Sequence, residues 1–335
     1  MVNKTTRWRI GAMLVLLISL GLLLAIGVGM LGKWFWWLDL FSHFRAQYAA
    51  PAALCVFIAA LRRYWKITLI ALLPLVICLG SILPFYFGKT DSSRSAANLD
   101  TELKIIHFNI YSWNPNHEKV IRYLDESGAQ IAFLQEITSE WVEVLKQSTS
   151  SWRIETVHPR TDNFGIAMLV RQSTDSPILV ISTHIVHLPD NSDLAVPAIE
   201  ATIRNGKLEV AILSLHTLPP VNHEYTLTRN EQLAAAREWS KRQSLPHVIL
   251  GDLNASPWSY AFKMLCSEPR LTNSQYGFGL QATWPANRLA ILRIPIDHCL
   301  HSDDLVTLNR SLGPPLGSDH LPLKLVLAPA EPIPN

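Results

Sequence analysis

Two kinds of apolar pattern divide this chain of 335 residues. In the first 88 residues the apolar positions run almost continuously, whereas after residue 102 they come in short runs broken by polar residues. Residues 10–32 and 66–87 are long enough to cross a hydrocarbon core, which needs roughly 20 apolar residues. Residues 47–61 are apolar but short, and reach spanning length only if residues 41–48 join them. They read as a middle span, with a re-entrant or interfacial segment as the alternative. Trp34, Phe35, Trp36 and Trp37 follow the first span and suit the headgroup region. A secretory signal peptide fits poorly, because the first apolar run is too long and lacks a small-x-small cleavage site.

The pattern therefore predicts an anchor over 1–88 with two or three transmembrane helices, a polar linker over 89–101 and one domain over 102–335. Within that domain, strands are expected at 103–110, 130–135, 166–170, 178–182, 198–204, 207–215, 247–250 and 323–327. Asn205-Gly206 between two of these runs is a strong hairpin signal. Helical spacing appears at 118–124, at 140–146 with Ser139 as a candidate N-cap, at 227–242 and at 259–266. Many strands with a few helices argue for an α+β fold, two sheets packed face to face with helices outside.

Charge adds an orientation. Residues 1–89 hold 9 Lys and Arg against 1 acidic residue, and the remainder 20 against 26, so a formal charge of +2 hides two different objects. Lys4, Arg7 and Arg9 precede the first span, and Arg62, Arg63 and Lys66 separate the middle span from the last. By the positive-inside rule these segments are cytoplasmic. With three spans the domain lies outside the cytoplasm, and with two it lies inside; the Arg62-Arg63 pair favours three. The expected location is thus a multi-pass protein of the plasma or inner membrane, its domain on the periplasmic or extracellular face. Cys266 and Cys299 would meet an oxidising environment there, where a disulfide between them is an open alternative to two free thiols.

Chemistry gathers at the ends of the apolar runs. The stretch Gly251-Asp252-Leu253-Asn254 closes one run with an acid and an amide two residues apart, and side chains two apart on a strand point the same way. A carboxylate that orients a water beside an amide that holds a phosphoryl oxygen suits cleavage of a phosphate ester. Alone the tetrapeptide is equally a capped turn. Five further motifs change that balance: Phe108-Asn109, Leu134-Gln135-Glu136, Leu215-His216, Ile296-Asp297-His298 and Ser318-Asp319-His320-Leu321-Pro322. On a strand only one of Asp297 and His298 can face the same site. His184 and His187, three apart on a strand, face opposite sides and do not read as a metal pair. His158, His223 and His301 read as surface residues, and Trp258 and Trp284 as core.

The ordered set of six motifs resembles the endonuclease/exonuclease/phosphatase superfamily over roughly residues 102–328. That superfamily includes DNase I-like nucleases, abasic-site endonucleases, neutral sphingomyelinases and inositol-polyphosphate phosphatases. The resemblance implies a four-layer α/β/β/α sandwich. It implies a Mg²⁺ or Mn²⁺ ion at Glu136, with Asn109 assisting and Asp319 reaching the metal region. It implies that Asp252 orients and deprotonates water and that Asn254 and His320 meet the phosphate. Asp297 would pair with an imidazole, and His216 would be the histidine of the DNase-like and sphingomyelinase-like branches. Asn163, in Asn163-Phe164-Gly165, resembles a turn that touches substrate.

Three functions follow in order. The first is a membrane-tethered phosphodiesterase or nuclease. The second is a lipid phosphohydrolase of sphingomyelinase or phosphoinositide-phosphatase type, acting on phospholipid at the bilayer that holds it. The third, a sensing protein with a degenerate site, is weakest because no expected acid, amide or imidazole is missing. An acidic domain without a Lys/Arg stripe does not predict strong non-specific binding to nucleic acid. No protein partner is expected.

Overall fold

A computed structural model describes residues 4–87, 102–148, 151–172, 178–190, 192–267 and 271–330; the expected linker at 89–101 lies outside them. The N-terminal region comprises α1 (Lys4–Gly29), α2 (Trp36–Asp39), a 3-10 turn (Leu40–Phe44), α3 (Arg45–Leu61), α4 (Trp65–Ile82) and α5 (Pro84–Phe87). Three helical stretches, Trp8–Gly29, Trp36–Leu61 and Trp65–Phe87, are long and apolar enough to cross a membrane. The middle one reaches that length because residues 36–44 precede the apolar run. Val15, Cys55, Ala59 and Ala71 pack where α1, α3 and α4 meet, small side chains letting the helices approach closely. Large apolar side chains such as Leu24, Phe57 and Leu69 point outward.

The remaining elements are β1 (Leu103–Asn109), α6 (His117–Glu126), β2 (Ile131–Gln135), α7 (Ser139–Ser148), β3 (Trp152–His158), β4 (Ile166–Arg171), β5 (Leu179–Leu188), β6 (Val196–Asn205), β7 (Leu208–Leu215), α8 (His223–Lys241), β8 (His247–Asp252), α9 (Tyr260–Leu265), β9 (Thr272–Asn273), β10 (Asp297–His301), β11 (Leu305–Leu312) and β12 (Leu323–Pro329). They form two mixed six-stranded sheets, ordered β11-β12-β1-β2-β4-β3 and β5-β6-β7-β8-β10-β9. Alternation assigns each strand residue to a layer. Ile105, Phe133, Ile212 and Leu250 fill the space between the sheets. Ile106, Phe108 and Leu134 face outward onto α6 and α7. Leu213, Ile249 and Leu300 face outward onto α8 and α9. The result is the α+β sandwich that the pattern predicted.

Some elements differ from the sequence reading. Thr138, not Ser139, caps α7, its Oγ1 accepting from the Trp141 amide at 3.3 Å. Helix α8 starts four residues earlier than expected, because Asn222 accepts from the Tyr225 amide at 2.8 Å and caps it. Strands β3, β9, β10 and β11 were not expected. β3 and β11 lie on sheet edges, where half-buried faces blur the alternation, β9 has two residues, and β10 opens on Asp297-His298. All four cysteines are free, so Cys266 and Cys299 do not pair.

The helical region and the sandwich touch directly. Phe85 accepts at its carbonyl from the Gly277 and Gly279 amides at 2.9 and 2.7 Å. Its ring stacks on Tyr276 with centroids 5.2 Å apart. Trp258 donates from Nε1 to the Ser81 carbonyl at 3.1 Å.

Candidate active site

The site lies where the space between the two sheets runs out of apolar residues. On β1 the inward series Leu103, Ile105 continues as His107 and Asn109. On β8 the series Val248, Leu250 ends in Asp252. On β7, Ile212 and Ser214 lead to His216, which immediately follows the strand. The same period of two that builds the core therefore aims polar groups into one edge of it. Strand β10 enters from that edge, and its first residue, Asp297, pairs across the ladder with Asp252.

Asp297 is held between two imidazoles. Its Oδ1 is 2.8 Å from His107 Nε2, and its Oδ2 is 2.8 Å from His320 Nδ1. On the other side of its ring, His320 Nε2 lies 3.5 Å from Asp252 Oδ2, and His216 Nε2 approaches the same oxygen at 3.5 Å. Asn109 Nδ2 donates to Glu136 Oε1 at 3.0 Å and to Asp252 Oδ2 at 3.3 Å. Ser112 donates to Glu136 Oε2 from its amide at 3.0 Å and from its hydroxyl at 3.2 Å. Glu136 thus joins the site through Asn109.

Burial and charge set the protonation states. Burial pushes the Asp252 carboxyl up to about 6, with the cationic His320 opposing that rise. For His320 burial favours the neutral ring, but Asp297 and Asp252 outweigh it and raise the imidazole to about 10. Burial likewise acts to raise Asp297, yet His320 and His107 overcome it and hold this carboxyl below the usual carboxylate range. Burial lowers His216, only partly offset by Asp252. The arrangement pairs an acid near neutrality with a neighbouring imidazolium.

Of the nine residues singled out in the sequence, six come together here: Asn109, Glu136, His216, Asp252, Asp297 and His320. The other three are placed differently. Asn254 follows β8 in a left-handed turn (φ 44°), so strand alternation does not govern it; its Nδ2 donates to the Thr217 carbonyl at 2.8 Å and its amide to Asp252 Oδ1 at 3.0 Å. Asp319 accepts at Oδ2 from Trp284 Nε1 at 3.0 Å, while its Oδ1 is buried without a hydrogen-bond partner. Asn163 is exposed on the turn whose next residue, Phe164, packs on His216 with ring centroids 5.0 Å apart. As alternation requires, His298 turns away from the site. Its Nε2 bonds the Ala255 carbonyl at 2.8 Å, and its ring meets Phe262. His301, expected at the surface, is buried against Thr307.

A model of the endonuclease/exonuclease/phosphatase family matches residues 106–320, a span holding all nine. The chain belongs to this family. Solved structures agree on the fold. An endonuclease/exonuclease/phosphatase from Bacteroides vulgatus is 18% identical with a TM-score of 0.57, covering 68% of this chain and 99% of its own. D. rerio TDP2 complexed with single strand DNA product is 16% identical with a TM-score of 0.57, covering 68% and 98%. A mannosyl-6-phosphatase from Bacteroides thetaiotaomicron is 16% identical with a TM-score of 0.54, covering 68% and 99%. No curated protein matches the chain. The family is one of endonucleases, exonucleases and phosphatases, which cleave phosphate esters.

Two residues the sequence reading passed over lie among these groups. His107 sits two positions before Asn109 on β1, and that spacing was the available signal. Gln135 ties the sheets together, accepting at Oε1 from the Asp252 amide at 3.1 Å and donating from Nε2 to the Leu215 carbonyl at 2.9 Å. Gly251 (φ +150°) passes so close that a Cβ there would lie 1.8 Å from the Leu215 carbonyl oxygen. Among the described residues, ligand atoms of Asp252, Asp297 and His320 fall within 4.8 Å of one another, close enough to hold a cation. Both Asp297 oxygens already meet imidazoles, however, so that trio is better read as a proton-handling group. Glu136, held by Asn109, is a carboxylate outside that trio. The orphaned Asp319 Oδ1 is a separate acceptor that a hard cation would satisfy.

Proposed function

We propose that this chain is a membrane-anchored, divalent-metal-dependent phosphoesterase that hydrolyses a phosphodiester or phosphomonoester by in-line attack of water. The observation that carries the reading is Asp252 Oδ2, set 3.5 Å from both His216 Nε2 and His320 Nε2. With its carboxyl near neutrality, Asp252 takes the proton of the attacking water. His320, cationic beside Asp297, donates from Nε2 to a phosphoryl oxygen, and neutral His216 supplies a second donor. Asn254 holds the turn that presents these groups, and its Nδ2, one hydrogen on the Thr217 carbonyl, keeps a second for a phosphoryl oxygen. Glu136, Asn109 and Asp319 would hold Mg²⁺ or Mn²⁺, which neutralises phosphate charge as a Lewis acid when bound. Asn163 and Phe164 border the substrate beside His216. Purified full-length chain with Mg²⁺ or Mn²⁺ is expected to hydrolyse bis-(p-nitrophenyl) phosphate, and chelation or Asp252→Asn to abolish the reaction. Silence of the folded protein toward that ester, DNA, RNA, sphingomyelin and phosphoinositides would overturn the proposal.

A lipid substrate is the second reading, and one loop favours it. Leu289, Ile291 and Leu292 are 74%, 52% and 52% exposed on a loop that runs from Asp319 to the helical region. The Ala286 amide donates to the Asp319 carbonyl at 2.7 Å at one end. Gln47 of α3 donates to the Ile291 and Arg293 carbonyls at 2.9 Å at the other. Bare apolar side chains next to a spanning helix suit contact with a bilayer. Turnover of sphingomyelin or phosphoinositide vesicles, against DNA and RNA, separates the two readings.

We further propose three spans with the phosphoesterase domain outside the cytoplasm. The loop before α3 and the end of α4 both meet the sandwich, whereas the Arg62-Arg63 turn lies at the opposite ends of α3 and α4. The anchor then takes residues 1–88, the linker 89–101 and the catalytic domain 102–335. Fusions of alkaline phosphatase and of a fluorescent protein after the domain test this: bright cytoplasmic fluorescence contradicts it.

A further inference from the structure

Asp39 is the single acidic residue among the first 89, and it is buried. It ends α2, near the start of the second long apolar stretch and against the sandwich, where burial makes a lone carboxylate costly unless it is paired. Its partner comes from the sandwich. Asp39 Oδ2 accepts from Arg229 Nη2 of α8 at 3.0 Å, and Oδ1 accepts from the Tyr260 amide at the start of α9 at 3.1 Å. Arg229 is itself fully buried, and its Nη1 donates to the carbonyl of Asn254 at 3.0 Å. Four residues beyond Asp39, His43 Nδ1 accepts from the Ser256 amide at 3.1 Å and lies 2.9 Å from the Ser256 hydroxyl. The turn that follows Asp252 is therefore gripped from behind at Asn254 and Ser256 by residues of the membrane anchor or by an arginine that the anchor neutralises.

We infer that Asp39 is a positioning residue for the catalytic turn, acting through Arg229 on Asn254, so that the anchor is part of the active-site scaffold and not a removable tether. The physical reason is specific to this pair. A guanidinium is planar and donates in several directions at once: Nη2 to Asp39, Nη1 to the Asn254 carbonyl and Nε to Asn230 Oδ1, with Asp39 the one charged partner. It is fully buried, so without Asp39 it must move toward water or draw in a new partner. Either movement withdraws the donor from Asn254, whose left-handed conformation needs support from its surroundings. His43 supplies the second point that fixes the turn's orientation, while Gln47, which holds the Leu289–Leu292 loop, serves as an anchor contact away from the turn.

The effect on turnover rests on the phosphoesterase reading, so the test includes a readout independent of it. Full-length protein in nanodiscs is compared as wild type, Asp39→Asn, Asp39→Leu/Arg229→Met and Gln47→Ala. Hydrogen exchange of residues 251–257 and kinetics on bis-(p-nitrophenyl) phosphate are both measured. Asp39→Asn is expected to exchange at least tenfold faster over 251–257 and to lose at least tenfold in kcat, with KM within twofold. The double variant removes both charges, so it regains thermal stability, but it stays fast in exchange and slow in turnover because Asn254 still lacks its donor. Gln47→Ala leaves exchange over 251–257 at the wild-type rate. Wild-type exchange in Asp39→Asn and in the double variant, or equal loosening by Gln47→Ala, overturns the inference. If the wild type hydrolyses nothing, the phosphoesterase reading falls and the exchange data alone decide the positioning role.

Discussion

Asp297→Asn tests how the site sets its protonation states. The substitution keeps the shape of the side chain and an acceptor oxygen but removes the charge between His107 and His320. With charge centres roughly 4 Å apart and an effective dielectric near 20, the attraction between Asp297 and cationic His320 is about 4 kcal/mol, or about three pH units. His320 stands at about 10 in the intact site. Without Asp297 it falls to about 7, so at pH 8 its cationic fraction drops from nearly complete to about one tenth. The negative charge of Asp297 also helps to raise Asp252, which therefore becomes easier to ionise in the variant. Both limbs of the rate profile move toward acid. The assay is kcat/KM on bis-(p-nitrophenyl) phosphate from pH 5 to 10 at saturating Mg²⁺, with thermal melts as a check on folding. A roughly tenfold loss at pH 8 that largely recovers near pH 6 is the expected result. An alkaline limb that stays in place while activity falls equally at every pH would refute the role given to His320.

Glu136→Gln removes the carboxylate expected to hold the cation, so the Mg²⁺ concentration for half-maximal rate rises by at least about tenfold, read by metal titration of turnover and by calorimetry. Gly251→Ala places a Cβ 1.8 Å from the Leu215 carbonyl oxygen and forces φ +150° on a side chain; strain of about 2–3 kcal/mol or more appears as a lower melting temperature, and a parent-like melt contradicts the close packing of β8 on β7. Burial lowers His298 to about 3, so between its ordinary value and that point the unfolded chain binds a proton that the folded chain does not. Stability is then lost as pH falls below about 6.5, by up to about 1.4 kcal/mol per unit, and His298→Gln flattens this acid limb in melts from pH 7 to 4.

The legibility of this site followed from its construction. Asn109 and Asp252 terminate apolar strands in the centres of the two sheets, where alternation is strict and a polar residue at a run's end stands out. Glu136 and His216 follow such strands by one residue and were equally visible. Asn254 and Asp319 lie in turns, whose side-chain directions no periodicity encodes, and the expected placement of Asn254 on the strand did not hold. His107 and Gln135 went unread because each precedes a more conspicuous neighbour on the same strand. The edge strands β3 and β11 and the polar strand β10 carried too weak an alternation to find.

Local sequence determined the division into an apolar helical region and an α+β sandwich, the layer each strand residue faces and the polar residues at the strand ends, because each depends on period and residue type alone. Tertiary structure decided which carboxylate faces which imidazole. Asp297 lies between His107 and His320, 190 and 23 residues away in the chain, and no local rule couples such positions. Tertiary structure also joined Asp39 to Arg229, another 190 residues on. Read locally, Asp39 is an acid misplaced in an apolar span. Its partner exists only because the sandwich packs against the end of α2, where burial makes an unpaired charge too costly to leave.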